Sequence, residues 1–306
     1  MENIHKKILI IADIEGSSGC FDYGASSFMG RGWPRACLEM SLDINAVVAA
    51  LFDAGVQQVC VKDFHRTGYN LFPHYIDPRA TLVQGYAMGP VPGMGNPPDA
   101  SGIIMVGMHA PSGAGGFLPH TLTSRISRLM VNGRLMSEAQ LFSAALAPFG
   151  MAPLFFSGCP IACHYAATTI EGISCFAIDK FPRSFDVVSW RNELAIRAVA
   201  ALKNKGSRIY DPPGPFHGVV TMMDGKKAAQ VIAARWGFYQ RGADLHLEAP
   251  TLQELYALLI ELAYLSRFTR KALPLGLPLY HLMGKTGLLW AEKQLPPSNR
   301  RRQQKR

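Results

Sequence analysis

Short apolar runs alternate with longer stretches whose apolar residues recur at helical spacing through residues 1–180. This alternation is typical of βαβ units, in which crossover helices join consecutive parallel strands. The predicted strands are residues 8–12, 58–62, 102–107, 128–131, 153–156 and 174–178. We therefore expect an α/β fold with a mostly parallel sheet flanked by helices in three layers.

Three long helices are predicted in the same part of the chain. Residues 34–54 carry apolar side chains at helical spacing and stop before Gly55, a residue type that often follows a helix. A second helix is predicted at 136–146, with Glu138 in its first turn, and a third at 186–205. The first of these helices would serve as a crossover between two parallel strands.

A smaller α+β portion is expected after the Pro-rich stretch 211–215, which is a candidate boundary. Its predicted strands lie near 218–223 and 244–248, and its predicted helices are 226–235 and 251–268. From Leu273 onward no period assigns a structure. The predicted organisation is thus a catalytic α/β part, a smaller part, and a Pro- and Leu-rich segment with a basic tail, at residues 1–210, 211–270 and 271–306.

Composition excludes several classes of protein. With 48% hydrophobic and 17% charged residues, the chain can bury enough apolar surface to fold, which excludes a disordered or fibrous protein. No apolar run approaches the roughly 20 residues that span a bilayer, so neither a membrane segment nor a secretory signal is expected. The scattered cysteines lack the spacing of a disulfide scaffold, which favours the cytoplasm.

The net charge of +9 is largely a property of the tail, because residues 300–306 carry five basic side chains and no acid. Such a tail can attract polyanions by releasing their counterions. No aromatic residues interleave with these charges to stack on bases, and nucleic acid is therefore not expected as a partner. We interpret the tail as a solvated chain end.

Three predicted strands run into residues that bind metals. Asp13 and Glu15 follow the first strand, Asp63 and His65 follow the second, and His109 follows the third. Because the carboxyl ends of parallel strands share one edge of a sheet, these side chains should converge. Their mixture of oxygen and nitrogen donors suits Zn²⁺, and to a lesser degree Mn²⁺, Co²⁺ or Ni²⁺, whereas Mg²⁺ and Ca²⁺ prefer oxygen alone.

Each of these residues taken alone has an ordinary explanation. A single Asp after a strand more often caps a turn, and a single His is more often a loop residue than a ligand. The coincidence of three such strand ends is what favours a metal site. For Asp63 two roles stay open, as a partner that orients a ligand histidine or as a turn cap.

Five motifs along the chain, in this order and approximate spacing, resemble those of the DppA-type D-aminopeptidases, a family of zinc metallopeptidases. The resemblance covers roughly residues 7–180 well. The motifs are Asp13-Ile14-Glu15-Gly16-x-Ser18-Gly19, Lys62-Asp63-x-His65, Gly107-Met108-His109-Ala110, Pro119-His120-Thr121 and Asn132-Gly133-Arg134-x-x-x-Glu138.

The resemblance implies a pair of zinc ions and a catalytic histidine. The positions that match the family's metal ligands are Asp13, Glu15, His65, His109 and Glu138, and His120 matches the catalytic histidine. The family likeness also implies a self-compartmentalised homo-oligomer that removes amino-terminal D-residues from short peptides. His120 follows a glycine-rich stretch and could act as general base or nucleophile. Which ligand bridges the two ions stays open.

One motif departs from the family pattern and keeps an alternative function open. Ser157-Gly158-Cys159-Pro160 stands where the family has a Gly-Asp-Asp turn, which suggests a changed substrate or a metal-dependent acyl transferase that uses the same site. An alternative of another class is a metal-stabilised scaffold or polyanion binder that uses the basic tail. Cys159 and Cys163 lack the spacing of a zinc or redox motif, and we interpret them as buried thiols.

Overall fold

The computed structural model describes residues 5–180, 186–264 and 267–296, and within these ranges the strands form two sheets. The strands are Lys7–Ala12 (β1), Gln58–Asp63 (β2), Thr81–Val83 (β3), Gly102–Met108 (β4), Ile126–Val131 (β5), Arg134–Leu135 (β6), Ala152–Gly158 (β7), Ser174–Ala177 (β8), Phe216–Met222 (β9), Tyr239–Arg241 (β10) and Asp244–Ala249 (β11). The first sheet is parallel throughout, in the order β3-β2-β1-β4-β7-β8. The second is antiparallel, in the order β10-β11-β9-β5-β6.

Helices cover the sheets and connect their strands. They are Tyr23–Ser26 (α1), Trp33–Asp53 (α2), Glu138–Leu146 (α3), Pro160–Thr169 (α4), Val187–Ala201 (α5), Gly225–Trp236 (α6), Leu252–Tyr264 (α7) and Arg267–Gln294 (α8). The predicted helices 34–54 and 226–235 agree with α2 and α6 to within a residue, and those at 136–146 and 186–205 with α3 and α5 to within a few. Among the described residues no helix is long and apolar enough to cross a membrane.

The parallel sheet is buried on both faces because successive side chains of a strand point to opposite sides. In β1, Ile8 and Ile10 pack into a core with α2 and α5, whereas Leu9 and Ile11 pack into a second core with α3, α4 and the antiparallel sheet. Each such side chain, when fully buried, contributes about 1.5–3 kcal/mol. The expected three-layer α/β architecture is confirmed.

The predicted strand at residues 128–131 forms as β5, but its placement in the parallel sheet was wrong. β5 pairs antiparallel with β9, so this second sheet combines strands from before and after the Pro-rich stretch 211–215. Only one face of β5 is well buried, as is typical of antiparallel sheets with a solvated face. The division into separate domains at this stretch stays a prediction.

The C-terminal helix α8 was not predicted, because Pro274 and Pro278 lie inside it and each removes a backbone donor. The helix is held by packing: Trp290 stacks on Trp33 with ring centroids 6.4 Å apart, and Ala291 is fully buried. Tertiary contacts thus override a weak local propensity. The predicted helix 251–268 agrees with α7 and with the first residues of α8, while residues 265–266 and the basic tail lie outside the described residues.

Two glycines let the chain segments that follow β1 and β4 touch. The Gly16 N–H donates to the Gly107 carbonyl at 2.7 Å, and a Cβ at Gly16 would lie 2.3 Å from the Met108 carbonyl oxygen. Gly107 has a φ of +83°, in the left-handed region that L side chains rarely adopt. The close approach places the residues after β1 beside those after β4.

Replacing Gly16 by Ala should lower the free energy of unfolding by about 1–3 kcal/mol, because the new methyl group meets backbone that cannot move aside cheaply. Urea denaturation measures the change. The matched control is Gly276→Ala in α8, whose Cβ would have no atom outside its own helical turn within 4 Å among the described residues. The control should hold or gain up to about 1 kcal/mol, since Ala favours helix. Equal stability of Gly16→Ala and wild type would contradict the argument.

Candidate metal centre

All six side chains that the sequence singled out lie together at the carboxyl edge of the parallel sheet. Asp13 and Glu15 follow β1, His65 follows β2 and His109 directly follows β4, while Glu138 begins α3. Their donor atoms form two clusters, each with its atoms within 4.8 Å of one another. The first cluster is Asp13, Glu15 and His65, and the second is His109, His120 and Glu138.

Asp13 lies between the two clusters. Its Oδ1 is 3.1 Å from His65 Nδ1, and its Oδ2 is 3.4 Å from His109 Nε2. Glu15 Oε2 also lies 3.1 Å from His65 Nδ1, and Glu138 Oε1 lies 3.4 Å from His109 Nε2. One carboxylate therefore reaches both groups of donors.

Backbone carbonyls orient the three histidines. His65 Nε2 donates to the Ser26 carbonyl at 2.7 Å, His109 Nδ1 donates to that of Ala110 at 3.1 Å, and His120 Nδ1 donates to that of Leu118 at 2.9 Å. A carbonyl oxygen can only accept, so these ring nitrogens carry hydrogens. The other nitrogens of His65 and His109 face carboxylates, in the arrangement usual for metal-binding histidines.

Asp63 holds the loop that carries His65. Its carboxylate accepts the backbone N–H of Asn70 at 2.5 Å and of Leu71 at 3.0 Å, and the Asn70 side chain donates to the His65 carbonyl at 2.7 Å. Of the two roles left open for Asp63, these contacts support the turn cap. The cap acts on the backbone next to a candidate metal ligand, since it fixes the loop from which His65 projects.

Glu138 projects from the first turn of α3, as its position in the sequence predicts. Ser137 caps the helix through a capping box with Gln140, and Glu138 Oε1 accepts the Leu122 N–H at 2.6 Å. Burial alone would raise the pKa of Glu138, but the charge and hydrogen bonding of His109 outweigh it and lower the pKa. The helix N-terminus also favours a negative charge here.

The other titratable groups of the site differ in the direction of their pKa shift, which is upward for Asp13 and His109 and downward for His120. Burial, and then the charge of Glu15, raise the pKa of Asp13 to about 7. Burial would lower the pKa of His109, but Glu138 and Asp13 outweigh it and raise the pKa to about 10. His120 differs, since burial and the neighbouring His109 lower its pKa. Its ring stacks on that of His109 with centroids 3.7 Å apart.

A divalent cation fits these donors. Glu15 Oε2 is buried without a hydrogen-bond partner among the described residues, although it lies close to His65 Nδ1. Converging carboxylate oxygens and imidazole lone pairs repel one another unless a proton or a cation lies between them. Three carboxylates with three imidazoles form a donor set that suits zinc.

The candidate metal ligands line part of a cavity of about 840 Å³. Much of the remaining lining is apolar, and part of it comes from α8, whose contribution no motif or period in the sequence indicated. These apolar and α8 residues include Phe64, Met108, Leu118, Leu122, Phe142, Ile260, Ala272, Leu273, Gly276, Leu277 and Tyr280.

The turn that departs from the family pattern lies outside this lining. Cys159 precedes α4 at the end of β7 and is 3% exposed, and Cys163 is 8% exposed. The interpretation of both as buried thiols agrees with this burial. The altered turn, which motivated the acyl-transferase alternative, thus does not shape the described wall of the cavity.

Residues 6–260 match the model of peptidase family M55, which is described as D-aminopeptidase. The chain belongs to this family. A D-aminopeptidase of Bacillus subtilis (strain 168) is 25% identical over 176 residues, which span 56% of this chain and 63% of that relative's length. Among solved structures, the Zn-dependent D-aminopeptidase DppA from Bacillus subtilis, a self-compartmentalizing protease, superposes with a TM-score of 0.77. That match has 22% identity and covers 84% of this chain and 97% of DppA. Helix α8 lies beyond the residues that match the M55 model.

Zinc binding to chelator-treated protein at pH 7.5 should release on the order of one proton or more, because a ligand histidine must give up its second proton. The raised pKa of His109, about 10, keeps that ring protonated in the metal-free protein, so zinc affinity should fall as the pH falls. Calorimetry in two buffers of different ionisation enthalpy measures the release. His109→Ala should release less, while exposed His164→Ala serves as control. Binding without proton release would contradict the geometry.

Proposed function

We propose that this chain is a zinc-dependent aminopeptidase of the D-aminopeptidase type, which cleaves an amide bond of a short peptide or amino-acid amide. The observation that carries the proposal is the pair of donor clusters joined by Asp13 in the lining of a cavity. Membership of family M55 and the zinc dependence of the solved relative support it.

Two zinc ions fit the two clusters in this proposal. Asp13, Glu15 and His65 would hold one ion and His109 and Glu138 the other, and the two oxygens of Asp13 face different clusters. Mn²⁺, Co²⁺ or Ni²⁺ would suit the same donors less well. The chemistry that zinc supplies when bound is polarisation of the scissile carbonyl and acidification of a water molecule.

His120 serves as the proton carrier in this mechanism. Its Nδ1 hydrogen is held by the Leu118 carbonyl at 2.9 Å, which leaves Nε2 with a lone pair. Because burial and His109 lower its pKa, the ring is neutral near pH 7 and can accept a proton. His120 then takes a proton from the attacking water and returns it to the leaving amine.

Self-association is part of the proposal. The solved relative is described as a self-compartmentalizing protease, and we infer a homo-oligomer for this chain on that likeness. All six cysteines have free thiols, in keeping with the predicted cytoplasmic location, which stays a prediction. The polyanion-binding alternative rests on the tail, which lies outside the described residues.

The function is tested by elemental analysis of purified protein followed by a screen of D- and L-aminoacyl amides. Zinc should copurify with the protein. Hydrolysis should stop when a chelator is added and return when zinc is restored, because without the cation nothing in the site polarises the scissile carbonyl. An added amine acceptor separates hydrolysis from acyl transfer, since a hydrolase yields only the free acid. Full activity of the metal-free protein would contradict the proposal.

Substitution of the two stacked histidines should separate binding from chemistry. His120→Ala should retain zinc and lose about 10²–10⁴-fold in kcat, since general acid–base catalysis contributes roughly that much. His109→Ala should lose zinc as well, because its Nε2 faces two carboxylates. Zinc content by elemental analysis, measured beside kcat, distinguishes the two. Loss of zinc from His120→Ala would make His120 a ligand instead of the proton carrier.

A further inference from the structure

Part of the cavity wall is apolar, in contrast to the charged metal centre, and α8 contributes to this apolar part. Its residues Ala272, Leu273, Gly276, Leu277 and Tyr280 line the same cavity as the metal-binding side chains. The M55 family match ends at residue 260, before this helix begins. The cavity therefore combines donors from residues that match the family model with a wall from residues beyond that match.

Several contacts hold α8 against the body of the protein. Tyr69 Oη lies 2.9 Å from His281 Nδ1, and the Tyr280 hydroxyl donates to the Arg66 carbonyl at 3.3 Å. Gly284 brings the helix so close that a Cβ there would lie 2.3 Å from the Tyr69 ring. The Trp290 stack fixes the later turns. These contacts hold α8 against the body of the protein from Tyr280 onward.

The lining positions of α8 share one helical face. Positions 272, 273, 276, 277 and 280 recur at the spacing of neighbours on one side of a helix. Positions 275 and 279 point away, and Leu275 and Leu279 are 85% and 70% exposed. No charged residue stands on the lining face, so this side of the cavity offers apolar contact to a ligand.

We propose that Leu273, Gly276 and Leu277 are specificity-determining residues that select an amide substrate carrying a bulky apolar group, aromatic or branched aliphatic. This inference rests on the proposed amidase function and names its substrate class. The cavity volume of about 840 Å³ exceeds the needs of a small aminoacyl amide. Apolar side chains favour a ligand whose apolar surface leaves water on binding, whereas a charged group against this face of α8 would lose hydration and meet no charged side chain on that face.

Gly276 gives the sharpest test of this wall. Gly276 lines the cavity, and a Cβ at this position would meet no atom outside its own helical turn within 4 Å among the described residues, so a larger side chain has room there without displacing packed atoms. Replacing this glycine also does not lower the helix propensity, because glycine is among the poorest helix formers. Gly276→Phe therefore occupies the proposed subsite, and Leu279→Phe places the same ring on the exposed outer face as the matched control.

The experiment compares zinc-loaded wild type and both variants on D-phenylalaninamide and D-alaninamide. Wild type should prefer D-phenylalaninamide by about tenfold or more in kcat/KM, the discrimination expected of an apolar pocket for several carbons. Gly276→Phe should lose that preference by a similar factor while it keeps turnover of D-alaninamide, and Leu279→Phe should match wild type. Equal turnover of both amides by wild type, an unchanged ratio in Gly276→Phe, or loss of both substrates in equal proportion would overturn the proposal.

A binding measurement separates this inference from the proposed function. Calorimetry of chelator-treated wild type and Gly276→Phe with the same two amides reports recognition without turnover. Wild type should bind D-phenylalaninamide more tightly than D-alaninamide, and Gly276→Phe should reduce that preference about tenfold. This result supports the proposed role of α8 in substrate selection even if neither amide is hydrolysed. In that case only the proposed function fails. No binding preference in wild type counts against the wall itself.

Discussion

The structure depends on one electrostatic constraint, the gathering of three carboxylates and three imidazoles, most of them buried, in the lining of one cavity. Burial raises the cost of each charge, and carboxylates this close repel one another. Protons, or a cation, must lie between Asp13 and the histidines on either side of it. Each structural feature around the edge of the sheet serves to keep these donors together against that repulsion.

Buried charges of a second set hold the loops from which the donors project. The Lys180 ammonium donates to the carbonyls of Ser17 and Cys20, the latter at 2.9 Å, which ties down the chain just after Glu15. Burial lowers the pKa of Lys180 to about 8, which is still above neutral pH, so the ammonium keeps its charge there. Further along, Asp43 accepts the Ser18 N–H at 2.8 Å and pairs with Arg191 at 2.7 Å. The metal centre is thus preorganised by contacts that reach several elements away.

The cavity is lined by two kinds of surface, one charged and one apolar. The edge of the parallel sheet supplies charged donors, and these lie within residues 6–260, which match the family model. Helix α8 supplies apolar lining and lies beyond that range. A fixed centre of this kind can keep its chemistry while the wall opposite changes the substrate, which is how one fold serves several specificities.

Local features of the sequence determined much of the fold and of the site. Apolar runs that end in Asp, His or Glu fix where strands stop, and a capping residue followed by an acid fixes where α3 begins, so Asp13, His65, His109 and Glu138 could be placed without coordinates. Only the tertiary structure decided that β5 joins the antiparallel sheet and that Asp13 faces both clusters. It alone showed that a segment with Pro274 and Pro278 forms a helix against the cavity. Strand ends and helix caps depend on residues a few positions apart, whereas sheet partners and packed helices depend on residues that can be more than two hundred positions away, as in the contact between Tyr69 and His281.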